Sequence, residues 1–328
     1  LNNIGVIYNN RGDFDKTLDY YSKSLTIKEE LENKNAIGET LGNIGVVYAI
    51  KGDYDSALNY FNKTLTIKEE LGDKLSIGMC LGNIGSVHRI KGDYDKSIDC
   101  YKESIKIKEE LGDKRGLGIS FKNIGNLYTN KQDYDKALDY YKRSLAINKE
   151  IHSKSEFGAS LMAIGTIYQL KGDIKKAIDY FERSLAIQEN IDDKARLCYT
   201  LCNLGSSYTI KGDYSKSVKY LVKSLNIQKE IGIKEIELDT TIALYLCYKH
   251  LEKDYNYNEI DKLIKNTDNI NYLLNFQLFK LIEDKSYLET AYNQIQEKVD
   301  VMENDLKQKF LSYPIQKKII EEYNKIFS

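Results

Sequence analysis

The chain repeats itself every 40 residues without insertion or deletion, and that period limits it to folds built from stacked units. Gly5, Gly45, Gly85, Gly125, Gly165 and Gly205 fall on the period, as do Asp13, Asp53, Asp93, Asp133, Asp173 and Asp213. Ile27, Ile67, Ile107, Ile147, Ile187 and Ile227 also fall on it, with Lys34, Lys74, Lys114, Lys154, Lys194 and Lys234. A single globule has no reason to space its chemistry this way. The length of 328 residues would otherwise suggest about two domains, a prior that a linear array overrides.

The second copy defines the unit. In residues 39–50, Leu41, Ile44 and Tyr48 share one helix face. Gly52 suits the left-handed residue that ends a helix, and Asp53 suits the N-cap of the next, with Asp55 in its first turn. That second helix carries Leu58, Phe61 and Leu65 on its buried stripe and ends at Gly72-Asp73. The unit is a helix–turn–helix, and no strand pattern is present. Gly45, inside the first helix, costs about 1 kcal/mol against Ala, and its recurrence implies a packing reason. It lets Phe61 approach, and the matching small site in the second helix is Thr17, Ala57, Ser97, Ala137, Ala177 and Ser217.

The pattern Leu41-x2-Ile44-Gly45-x2-Tyr48 … Ala57-x3-Phe61, with the turn Gly52-Asp53-Tyr54, resembles the tetratricopeptide repeat (TPR). The resemblance covers residues 1 to about 234 as six units, the first truncated at its start. The family's proline after the second helix is absent, and the unit is lengthened from the family's usual length to 40 residues. In that it is similar to the TPR arrays of kinesin light chains, G-protein-signalling modulators and bacterial peptide-pheromone receptors. The resemblance implies an all-α superhelical solenoid of antiparallel helix pairs, whose first helices line a concave groove that binds a peptide or helical segment.

Residues 235–269 read as a degenerate seventh repeat, with Leu244 and Tyr248 in phase but Tyr245 in place of the packing glycine. Residues 270–328 read as a helical C-terminal cap. It holds an apolar stretch from Tyr272 to Ile282, a helix from about Ser286, and a last helix starting at the only proline, Pro314. Its alternative role is docking or self-association.

On the helix wheel, the side of the first helix opposite its core carries Glu39, Asn43, Val46 and Ile50. One position there is nearly constant: Asn3, Asn43, Asn83, Asn123 and Asn203, with Ala163 as the exception. An amide both donates and accepts, which matches a peptide unit. The ladder either binds a ligand backbone or bonds across adjacent repeats. Its neighbours vary (Val46, Ser86, Asn126, Thr166), and Arg89 and Lys122 add positive charge. In some TPR domains that bind chaperones, a Lys/Asn, Asn, Lys/Arg clamp holds a C-terminal carboxylate. Lys122 and Asn126 match its first element, but Ala163 breaks the second and Tyr199 with Asn203 the third.

Composition narrows the function classes. A net charge of −1 gives no basic surplus for nucleic acid, and no apolar run is long enough to span a membrane. No P-loop, HExxH, nucleophile elbow or CxxC is present, so no catalytic residue and no cofactor is expected. Cys198, Cys202, Cys247 and His250 are offset along their helices and make a poor metal site. The odd, scattered cysteines suit a reduced, cytoplasmic protein. The chain opens in mid-pattern at Leu1, which leaves room for an upstream segment. The leading expectation is a protein-interaction scaffold with a protein or peptide partner. The alternatives are the sensory or regulatory arm of a larger signalling protein, of kinase or cyclase type, and an oligomerisation module acting through the C-terminal helices.

Overall fold

The structure, a computed structural model, describes residues 1–327. Among them every regular element is a helix. The repeats give pairs of packed helices: α1 (Asn2–Asn10) with α2 (Phe14–Glu30), α3 (Lys34–Lys51) with α4 (Tyr54–Glu70), and α5 (Lys74–Ile90) with α6 (Tyr94–Leu111); α7 (Lys114–Asn130) and α8 (Tyr134–Glu150) follow, and then the pairs α9 (Lys154–Leu170) with α10 (Ile174–Asn190) and α11 (Lys194–Lys211) with α12 (Tyr214–Ile231). Then come α13 (Glu237–His250), α14 (Tyr257–Lys265), α15 (Tyr272–Ile282), α16 (Lys285–Asp300), α17 (Asn304–Ser312) and α18 (Pro314–Phe327). The chain forms two compact units, Leu1–Leu127 and the remainder from Tyr128. Within each, successive helices pack on one another as an all-α solenoid.

The turn chemistry follows the repeat. Gly52 ends α3 at φ 82°, and Asp53 then accepts a hydrogen bond from the Ser56 amide at 3.1 Å. The second turn of the unit works the same way, with the Asp73 carboxylate accepting from the Ser76 amide at 3.1 Å.

The packing glycines let the two helices of a pair meet. A methyl at Gly45 would lie 2.8 Å from the Phe61 ring, and one at Gly165 would lie 2.7 Å from Phe181. Ala57 and Ala177, the small residues opposite, have no exposed surface. At Gly85 the fit is looser, 3.3 Å to Tyr101, and Ser97 Oγ donates to the Gly85 carbonyl at 2.6 Å. Outside this core, Tyr8 stacks on Tyr20, Tyr48 on Tyr60, Tyr168 on Tyr180 and Tyr208 on Tyr220, at 5.4–5.6 Å. His88 takes the tyrosine's place in the third repeat, bonding Asp93 at 3.2 Å.

A second ladder is buried inside the array. Lys68, Lys108, Asn148, Gln188 and Gln228 recur every 40 residues, all buried. Lys68 Nζ bonds Asn35 at 2.6 Å and Asp73 at 3.0 Å. Lys108 Nζ bonds Ser120 at 2.8 Å, and burial pushes its pKa down. In the second unit amides replace the ammonium groups, as where Gln228 Nε2 donates to Ser224 and Thr240, both at 2.9 Å. At the surface, Lys34, Lys74 and Lys194 pair with Glu70, Glu110 and Glu230 at 2.6–2.8 Å. These pairs are exposed and screened by solvent, so they add little to stability.

Two outcomes follow for stability. Gly45→Ala forces a methyl into the Phe61 ring and costs about 1–3 kcal/mol, whereas Gly85→Ala costs less. Denaturant titration of the two variants checks the order. Lys108→Gln installs the residue that Gln188 and Gln228 already use. A lysine whose folded pKa is depressed burdens the fold below that value, and the burden lifts as pH rises through it toward the unfolded value. The variant is therefore more stable at pH 7 by about 1 kcal/mol. The gain shrinks in alkaline buffer, as melting curves across pH show.

Candidate functional site

Each asparagine of the ladder immediately precedes a buried core residue of its first helix, Ile44, Ile84 or Ile124, and so lies at the edge of the face turned away from the core. In the first unit Asn3 and Asn83 are exposed, and Asn43 and Asn123 are half-buried. Their chemistry differs. Asn123 Nδ2 donates to the Tyr101 hydroxyl at 3.2 Å, and that hydroxyl also shares a 2.7 Å hydrogen bond with Ser86. The side chains of Asn3, Asn43 and Asn83 have no hydrogen-bond partner among the described residues. Asn203, half-buried in the second unit, has none either. So Asn123 bonds across adjacent repeats, while the others present an unused donor and acceptor.

Around the first unit's asparagines the surface carries exposed apolar side chains among charged and polar ones. Val46, Ile50, Met79, Ile90 and Ile119 are exposed, Met79 at 60%. Arg89 is half-buried and its charge acts on Tyr101. Lys122 is half-buried beside Asn123, and Asn126 is exposed one turn on; both have partners within the protein.

In the second unit the chain covers its own repeats. Its C-terminal helices run back along the turns that join first to second helices. Tyr134, first residue of α8, is 1% exposed, while its equivalents Tyr54, Tyr94 and Tyr214 are half-buried. Its ring packs on Tyr313 at 5.0 Å, its hydroxyl donates to Gln132 Oε1, and burial, with the Tyr272 phenol acting on it, holds its own phenol far above the usual pKa. Gln316 Nε2 donates to the Tyr272 hydroxyl at 2.9 Å from the other side. Pro314 sits on the next turn, where a methyl at Gly172 would lie 2.5 Å from its ring. Gly172 has φ 83°, so no other residue fits there without strain or clash. Lys309 pairs with Asp135. Leu170 is half-buried here, whereas the corresponding Ile50 and Ile90 are exposed at 55% and 48%. Phe310, Ile295 and Ile319, apolar residues of the tail, are buried in the same cluster as Ile164 and Ile167. Periodicity could not reveal this docking. Its one sequence sign is Tyr313-Pro314, an aromatic residue placed just ahead of a helix start.

The remaining polar candidates have structural partners. Cys202 accepts from Thr240, Cys247 bonds Ser217 and Thr209, and His250 stacks on Tyr214 at 4.3 Å.

The tetratricopeptide-repeat family model matches residues 1–70, 77–150 and 156–230, more than half of the chain. The chain belongs to the TPR family. Among solved structures it is similar to BtubC (BKLC) from P. vanneervenii, with 20% identity and a TM-score of 0.61 over 67% of this chain and 92% of that one. It is also similar to the signal-transduction ATPase with numerous domains (STAND) PH0952 of Pyrococcus horikoshii, which has a TPR sensor. That match has 19% identity and a TM-score of 0.68 over 94% of this chain, which spans 43% of the ATPase. The apo form of RapI matches with 17% identity and a TM-score of 0.58 over 81% of this chain and 98% of RapI. At these identities the likeness is one of fold. No curated protein sequence matches the chain. No described helix of this TPR array is long and apolar enough to cross a membrane.

Tyr313→Ala removes the ring that seals Tyr134 and costs about 3–5 kcal/mol in the docking of α17 and α18. Hydrogen exchange in those helices then accelerates while amides of α3 to α6 keep their protection. Unchanged protection of α18 means that Tyr313 does not hold it.

Proposed function

We propose that this TPR protein is an interaction scaffold, not an enzyme, and that its first unit binds a peptide or helical segment along the outer face of its first helices. The observation that carries the reading is the pairing of unused amides at Asn3, Asn43 and Asn83 with exposed Val46, Met79 and Ile119. The amides match a ligand backbone and the apolar neighbours take its side chains. The second unit supports the reading from within the chain. There an α-helical segment with aromatic and proline anchors already covers the turns of the repeats. Lys122 and Arg89 are basic and Glu39 is acidic on the same side, and that mixture beside apolar Ile50 and Ile90 favours an amphipathic segment over an acidic one.

Panning a random peptide library against the purified protein tests this. Selected peptides are expected to share apolar residues at helical or alternate spacing. Asn43→Ala with Asn83→Ala weakens their binding by about 1–3 kcal/mol and leaves the melting temperature within a degree or so. Asn123→Ala instead lowers stability, because it frees Tyr101. Equal stability losses in both variants would make the whole ladder structural.

A second reading is a sensor arm of a larger signalling protein, since the Pyrococcus ATPase carries its own tetratricopeptide repeats as a sensor. The coding sequence upstream of Leu1 decides it. Self-association through the tail is a third, and it requires the tail to leave its own repeats. Sizing the chain with and without residues 301–328 tests that, and a monomer in both cases removes it.

A further inference from the structure

A cleft of about 770 Å³ opens in the second unit where the tail meets the last repeats. Helices α11 and α13 form one wall, α15 and α18 the other. Its floor is apolar, with Ile210, Leu246, Phe276 and Ile315. Its volume is in the range of small-ligand sites, roughly 300–1,000 Å³.

The charge lining it is of one sign. Lys249, Lys280 and Lys318 line the cleft, and no aspartate or glutamate does. Lys249 is already engaged: its Nζ donates to the carbonyls of Lys280 and Leu281 at 3.0 and 3.2 Å and pairs with Glu283 at 2.6 Å. Among the described residues neither Lys280 nor Lys318 makes an ion pair, and Glu322, which does not line the cleft, acts on Lys280 only through its field. Lys280 lies over the Phe276 ring at 4.3 Å, which directs its ammonium across the floor. Burial and the neighbouring Lys318 push its pKa down to about 8, although the residue still reaches solvent at the cleft mouth. Gln277 presents an amide there that has no hydrogen-bond partner among the described residues.

Two ammonium groups lining one cleft with no carboxylate among its described lining residues, above an apolar floor, fit one kind of ligand. We propose that this cleft binds a small amphipathic organic anion, its carboxylate or phosphate head between Lys280 and Lys318 and its apolar body on Phe276, Leu246 and Ile315. The lysines come from α15 and α18, and the floor comes partly from the repeats. The ligand therefore bridges tail and array, and it stabilises the docked tail by mass action.

The fluorescent anion 1-anilinonaphthalene-8-sulfonate, titrated into the folded full chain, is the probe. Saturable binding at one site is expected. Lys280→Gln with Lys318→Gln weakens it about tenfold, the loss of two partly exposed ion pairs. Lys317→Gln with Lys325→Gln, on the same helix but outside the cleft, leaves it unchanged, and melting curves verify that both variants are folded. Decanoate or decyl phosphate displaces the probe at least tenfold better than uncharged decanol, and the more effective of the two identifies the head group. The proposal is overturned if the wild type shows no saturable site, if the two double variants behave alike, or if decanol competes as well as the anions.

Discussion

The contact between a glycine in each first helix and a bulky side chain in the second governs this TPR array. It sets how close the two helices of a pair lie, and the interval between successive pairs follows from it. At Gly45 and Gly165 the ring of Phe61 or Phe181 occupies the volume of a missing methyl. At Gly205, Leu221 fills it even more closely, 2.4 Å from where a methyl would stand. Once that distance is set, the stacked tyrosines outside and the buried polar ladder inside fall into register without adjustment from repeat to repeat. This is why the unit tolerates Tyr, Phe or Leu opposite the glycine but keeps a small residue at Ala57, Ser97 or Ser217 beside it.

The same geometry separates positions that build the array from positions that face a partner. Leu41 and Ile44 are buried by neighbouring helices, whereas Val46 is exposed and Asn43, though half-buried, has no hydrogen-bond partner among the described residues. Charge is divided in the same way. Several exposed lysines, Lys34, Lys74 and Lys194 among them, are matched by an acidic residue of the same repeat array. Lys280 and Lys318 have no such match among the described residues and line a cleft instead.

Most of the fold was legible because its information is local and repeated. Gly52, Asp53, Gly45 and Phe61 each act within one unit, and several copies state the same rule. The tail was legible only as helices. Pro314 marks the start of α18, but nothing near it states that Tyr313 meets Tyr134, because that contact joins distant segments and occurs once. The buried ladder was hidden for another reason. Lys68 and Lys108 look like solvated residues on a polar face, and only the neighbouring repeat, with Asp73 or Ser120, shows that they are covered. For the asparagines the pattern identified the position but not the role. Asn123 and Asn83 both stand in an Asn-Ile-Gly triplet, and they differ because Tyr101 offers a hydroxyl to one and Phe61 cannot offer one to the other.

The return of the tail to α8 changes how the second unit comes apart. An open stack of repeats contacts only its neighbours, so it frays from its free end and can fold from any point. Here α18 ties Tyr313 and Pro314 to turns two and three repeats back from the seventh. The terminal helices cannot peel away while those anchors hold, and the intervening repeats share one cooperative transition. The long loop so closed also raises contact order, which slows folding relative to an untied array of the same length.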